Sequence, residues 1–333
     1  MPWSDPRFAA MLLGRAFETA GRTTLSPWLC GGFSGMALAA SRVGRLIGLE
    51  LDAELDAVDA VLPIVLRTPR GYELLTGVCG IGLYLVERLP RPYTTHLLAR
   101  VTQYLRESSE RSRVGRFWPA GDGARRNHYR LGMAHGAAGV VAFLATFIHV
   151  GRRDAAAVEL LDEAVRGLLA HRSSSVADPS CFPDIVQPGR YGRGNRLTWC
   201  WGDLGIALAL AAAGRATANA EWTGVAVVVA EEAASFRPNV KLACLCHGTA
   251  GIAHQFRRMF DLTARDAFRE AALYWYERTL DLCDQGTDVA VPARTVGTSL
   301  VLSVAIGVGL ALLAAVSAHE PMWDFMLLGD VSP

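Results

Sequence analysis

The sequence predicts an all-α fold, a ring of helix pairs, and three observations carry that expectation. Apolar residues recur at helical spacing along nearly the whole chain. No run of alternating apolar and polar residues is long enough to give a convincing strand. A short glycine motif also returns along the chain, each time opening an apolar helical stretch.

Helical periodicity marks, in order, Phe8–Ala20, Met36–Leu49, Leu55–Leu62, Gly82–Leu89, Thr94–Glu107, Val140–Val150, Ala156–His171, Ile206–Ala213, Trp222–Ala234, Ile252–Phe260 and Ala264–Cys283. The second, fourth, sixth, eighth and tenth of these each follow a Gly-x-x-Gly turn. The turns are Gly32–Gly35, Gly77–Gly80, Gly136–Gly139, Gly202–Gly205 and Gly248–Gly251. A degenerate sixth copy, Val304-Ala305-Ile306-Gly307, has valine in place of the first glycine. Successive copies lie roughly 45 to 65 residues apart, room for two helices and their loops. Glycine there fits a tight turn into a helix or a close helix–helix approach. A pair of this kind cannot bury its apolar face alone, so neighbours must stack. Six or more pairs suggest closure on themselves, inner helices around an axis and outer helices behind, with all the glycine turns at one end.

Two stretches are less regular: Ser108–Arg130, rich in arginine and glycine, and Ser173–Asn195, with Pro179, Pro183 and Pro188. Each precedes a motif turn and is placed either at the mouth of the central cavity or as an ordinary surface connection. No low-complexity tract or clear linker divides the 333 residues, so a single domain over 1–333 is expected.

Composition narrows the function classes. Half the residues are apolar (51%) and the net charge is +1, which argues against disorder and against electrostatic nucleic-acid binding. The first seven residues lack the basic and apolar regions of a signal peptide. Seven cysteines, an odd number spread along a long chain, read as reduced thiols of a cytoplasmic protein. The uncharged stretch Ser299–Ala318 is long enough to span a membrane, but it lacks a basic flank and reads as a helix buried on all sides.

Chemistry concentrates at two of the glycine turns, Trp199-Cys200-Trp201-Gly202 and Cys244-Leu245-Cys246-His247-Gly248. With Cys244 read as a core residue, they offer two thiolates and an imidazole, donors that select zinc over magnesium or calcium. Three protein ligands leave one position open, as in catalytic zinc sites; structural sites use four. A ring with its turns at one end would let these distant residues converge. Cys30, Cys79, Cys181, Cys244 and Cys283 read instead as small apolar core residues, and His254 as core or surface rather than ligand.

These motifs resemble the lanthionine synthetase C-like cyclases. The resemblance rests on Met133–Gly139, Arg196–Gly202, Cys246–Gly251 and the end Pro321-Met322-Trp323-Asp324 with Leu327-Leu328, in that order along nearly the whole chain. It implies an α/α toroid with zinc at one end of its central cavity, held by Cys200, Cys246 and His247. It implies His135 as the acid/base histidine and Arg196 as an active-site arginine. Glu73, in Tyr72–Gly77, stands where the family usually has aspartate. Trp201, a candidate substrate contact, stands where many members have tyrosine.

The activity implied is zinc-dependent addition of peptide cysteine thiols to dehydroalanine or dehydrobutyrine, forming lanthionine-type thioether rings in a dehydrated precursor peptide. Such a cyclase belongs to antibiotic-type peptide biosynthesis, with a separate dehydratase as expected partner and a monomer as default state. Two alternatives stand beside it. One is addition of glutathione to dehydroamino acids; the other is a non-catalytic peptide-binding scaffold of a modification complex.

Overall fold

The computed structural model describes residues 5–120, 128–151, 154–173, 180–187, 190–191, 195–285, 302 and 305–327. The chain separates into two compact units, residues 1–105 and 106–333.

The first unit holds α1 (Pro6–Gly21), α2 (Phe33–Ile47), α3 (Asp52–Val65), α4 (Val78–Glu87) and α5 (Pro92–Glu107). The second holds α6 (Ala137–Val150), α7 (Ala155–Leu169), α8 (Asp203–Thr217), α9 (Ala220–Ala234), α10 (Thr249–Thr263), α11 (Asp266–Asp284) and α12 (Ala305–Val316), and a 3-10 turn at Met322–Leu327. Every helical segment expected from periodicity is a helix.

The helices start in two ways. At α1, α7 and α9 the side chains of Asp5, Asp154 and Asn219 accept from amides of the first turn at 2.9, 2.9 and 3.1 Å. At α2, α4, α6, α8 and α10 the first glycine of the motif takes the cap position in extended conformation, with no side-chain cap. The two kinds differ in burial. The glycine-turn helices α4, α6 and α8 are apolar and buried on nearly every face. By contrast, α5 buries one stripe, Thr94, Leu97, Leu98, Val101, Thr102 and Leu105, at helical spacing. Within the second unit α6 packs beside α8 and α8 beside α10, while α7, α9 and α11 each back the glycine-turn helix before them. In the first unit α2 lies beside α4, with α3 against α2.

Short strands join the helices and leave the all-α expectation standing. The strand β1 (Glu110–Arg111) pairs with β2 (Arg116–Phe117), and β3 (Tyr129–Arg130), β4 (Ile185–Gln187) and β5 (Arg190–Tyr191) make an antiparallel sheet. Each has two or three residues, too few for alternation to show. Tyr129 faces Val186 and Arg130 faces Ile185, so the two irregular stretches meet in one sheet.

One expectation needs correction: α12 is not buried on all sides. It packs on α10 and buries Gly307, Val308, Ala311 and Ala314, while Ile306, Leu313 and Val316 are exposed. The uncharged sequence hides this because both faces are apolar. Among the described residues no helix is long and apolar enough to cross a membrane. Residues 299–301, 303 and 304 of this stretch, including the first residue of the sixth motif copy, lie outside the described residues.

Candidate metal centre

The site is built at the starts of α8 and α10. In both helices the second glycine of the motif sits where its first turn folds back on the preceding loop. A methyl group at Gly205 would run into the Trp199 carbonyl, and one at Gly251 into the Leu245 carbonyl. Both contacts are with the residue six positions earlier, so the motif's second glycine is required by close backbone approach rather than by a left-handed conformation. The tight turn fixes Cys200 just before α8 and Cys246-His247 just before α10.

The ligand atoms of Cys200, Cys246 and His247 lie within 4.8 Å of one another, with Cys200 buried and the other two half-buried. The Cys246 thiol is pushed well up by its hydrogen bond with Cys200 and then by burial. His247 is pushed up by its hydrogen bond to Cys246, against the opposing effect of burial. His247 Nδ1 is buried with no hydrogen-bond partner among the described residues. Two thiols and an imidazole gathered within 4.8 Å, with one buried ring nitrogen unpartnered among the described residues, fit a thiophilic cation such as zinc.

The remaining sequence-derived candidates fall as follows. His135 is half-buried on the turn before α6. That turn is docked on the Cys200 turn: the Ala134 amide donates to the Cys200 carbonyl at 3.0 Å, and a methyl at Gly132 would collide with Cys200 and Trp201 backbone. Trp201 is 46% exposed, and its indole stacks over the His247 ring, 6.2 Å between centroids at 13°. Trp199 is buried and donates from Nε1 to the Leu327 carbonyl at 3.1 Å, so the two tryptophans of one motif differ in role. Arg196 Nη1 lies 3.3 Å from Glu232 Oε2. Glu73 belongs to the first unit, half-buried, where Thr76 Oγ1 donates to it at 2.6 Å. Of the cysteines expected in the core, Cys79, Cys181 and Cys244 are buried and Cys30 and Cys283 half-buried. Cys181 is more than an apolar filler, since its thiol donates to Glu232 at 3.1 Å.

Sequence reasoning missed Asp203 and Glu232. Asp203 is fully buried in the first turn of α8 and accepts from the Cys181 and Phe182 amides at 2.7 and 3.0 Å. Burial pushes its carboxyl up to about 6. It ties the second irregular stretch to the Cys200 turn. The only sequence signal was an acid directly after a motif glycine, which at a helix start reads as a solvated residue. Glu232 lies in the last turn of α9, with nothing local to mark it.

The C-terminal 3-10 turn holds α10 and, through Leu327 and Trp199, the turn before α8. Asp324 is buried, bonded to His254 Nε2 at 2.9 Å and to Arg258 Nε at 3.1 Å, both on α10. Arg258 also pairs with Glu320, and Trp323 packs on the His254 ring at 4.7 Å. Asp324→Ala leaves a buried guanidinium short of one partner, so a loss of about 3 kcal/mol in urea unfolding is expected. A change under about 0.5 kcal/mol would show that the turn does not hold α10.

Paired helices whose glycine turns gather two cysteines and a histidine define a helical-repeat protein with a thiol–imidazole centre. The chain belongs to the lanthionine synthetase C-like proteins: the model of that family matches residues 12–328. Among solved structures it is similar to nisin cyclase, with a TM-score of 0.77 and 17% identity over 97% of this chain and 84% of that one. At that identity the likeness shows the fold, the α/α toroid expected from the repeats. A search of curated proteins found no match.

Proposed function

We propose that this protein is a zinc-dependent lanthipeptide cyclase that adds a peptide cysteine thiol to dehydroalanine or dehydrobutyrine in the same peptide. The observation that carries the reading is the convergence of Cys200, Cys246 and His247 from two separate turns. Family membership and the likeness in fold to a protein named a cyclase support it.

Cys200, Cys246 and His247 would hold the metal. A bound zinc would supply the acidity that keeps a coordinated thiol deprotonated at neutral pH. The reaction is an addition without redox change: the thiol gives up its proton, sulfur bonds to the β-carbon, and the α-carbon takes a proton. His135, on the turn docked against Cys200, is the proposed proton donor, since imidazole exchanges protons near neutral pH. Arg196 is the proposed partner of the enolate oxygen, with Glu232 positioning its guanidinium. Glu73 is the proposed carboxylate for the thiol proton. Trp201, exposed beside His247, is the proposed substrate contact. The substrate is a dehydrated precursor peptide from a separate dehydratase, and the proposed setting is a monomer in the cytoplasm. One domain over 1–333 is proposed because a single family model spans 12–328.

A peptide with one cysteine and one dehydroalanine tests the reading. Cyclisation leaves its mass unchanged but abolishes labelling of the thiol by iodoacetamide. His135→Ala should slow that loss by about 10²–10⁴-fold. Addition of glutathione in preference to ring closure would establish the intermolecular alternative. Neither reaction from zinc-loaded protein would leave the scaffold.

A further inference from the structure

In the first unit, α3 and α5 border an open groove of about 540 Å³. Its two ends differ in charge. At one end the acids are already neutralised. Asp59 is buried and accepts from Tyr84 Oη at 2.7 Å, from Arg88 Nε at 2.8 Å and from Tyr93 Oη. Asp56 accepts from Arg88 at 2.6 Å and lies 3.1 Å from Arg91.

At the other end Arg67 and Arg100 are exposed, with exposed His96 one turn of α5 before Arg100, and none of the three is paired with a carboxylate among the described residues. Arg100 is fixed on the wall by a hydrogen bond to the Leu66 carbonyl at 3.0 Å. Between the ends the lining is apolar: Ala60, Pro63, Leu97 and the ring of Tyr93.

We propose that this groove binds an extended peptide segment in which apolar side chains neighbour carboxylates. The apolar floor takes the side chains and the unneutralised cations take the acids. From Asp56 to Arg67 the helical rise gives about 16 Å, the length of about five extended residues. A groove open along two helices suits a chain better than a small enclosed ligand. This inference rests on the reading of the protein as one that acts on peptides. It gives a part of the substrate other than the reacting cysteine a place to bind.

Fluorescence anisotropy at physiological salt, with a fluorescein-labelled heptapeptide alternating leucine and glutamate, tests it on the full chain. Saturable binding is expected, weaker by about tenfold or more for the glutamine counterpart and absent for the lysine one. Arg67→Glu with Arg100→Glu should weaken it by a similar factor. Ala60→Trp, which fills the groove and leaves every charge in place, should do the same. Urea midpoints near wild type confirm that the variants fold, and Arg67→Gln with Arg100→Gln replaces the reversal if it does not.

No binding, unaltered binding in Ala60→Trp, or equal binding of the lysine peptide would overturn the proposal. Full competition by free glutamate would indicate a small carboxylate and overturn it as well. Zinc content and thiol addition, measured on the same wild-type preparation, report on the cyclase reading separately. Their absence alongside groove-dependent peptide binding would count against the chemistry and not the groove.

Discussion

Protein purified without chelator should carry about one zinc per chain, and Cys246→Ala should lose it. The substitution removes one of three protein ligands and one of the two thiolate charges. A loss of about 4 kcal/mol, roughly a thousandfold in zinc affinity, is the expected scale. Thiol reactivity gives a second readout. In wild-type protein zinc should shield Cys200 and Cys246 from a thiol reagent, and removing the metal should expose them. Folding should survive, because the packing of α8 and α10 on their neighbours lies apart from the ligand atoms. Metal-free, well-folded wild-type protein that takes up no added zinc would end the metal reading and favour the peptide-binding scaffold.

Gly251→Ala should destabilise the protein by about 3 kcal/mol or more and reduce its zinc content. The new methyl would meet the carbonyl of Leu245, a backbone atom with no rotamer through which to yield. Leu245 lies between Cys244 and Cys246, so any relief of the clash moves a metal ligand. Gly224→Ala is the control. Gly224 is inside α9 with nothing within 4 Å of an added methyl. There the better helix propensity of alanine should stabilise by about 0.5–1 kcal/mol. Urea unfolding of the two variants separates the claims. Equal effects would mean that the motif glycine is not held by backbone approach.

How much was legible from the chain varies with the range of the interaction. The helices were readable because apolar side chains every three or four residues must share one face, a local property. The glycine turns were readable as repeats, and the steric reason for them lies only six residues back along the chain. The short strands were not, since two residues cannot display a period. Nor was the exposed face of α12, where Ile306, Leu313 and Val316 are as apolar as the side turned to α10.

At the site, the local sequence specifies the kinds of donor and the turns that carry them: Cys200, Cys246 and His247, each within two residues of a motif glycine. It did not determine what surrounds them. The burial of Asp203 under the amides of Cys181 and Phe182, the pairing of Arg196 with Glu232, and the stacking of Trp201 on His247 were decided by tertiary structure. So was the hold of Asp324 on α10. Each joins residues more than twenty positions apart, and whether they meet depends on how the helices pack rather than on any local pattern. The approach of Cys200 to Cys246 and His247 within 4.8 Å is of the same kind. Local spacing sets which side chains a turn can present, and packing alone sets which turns share a site.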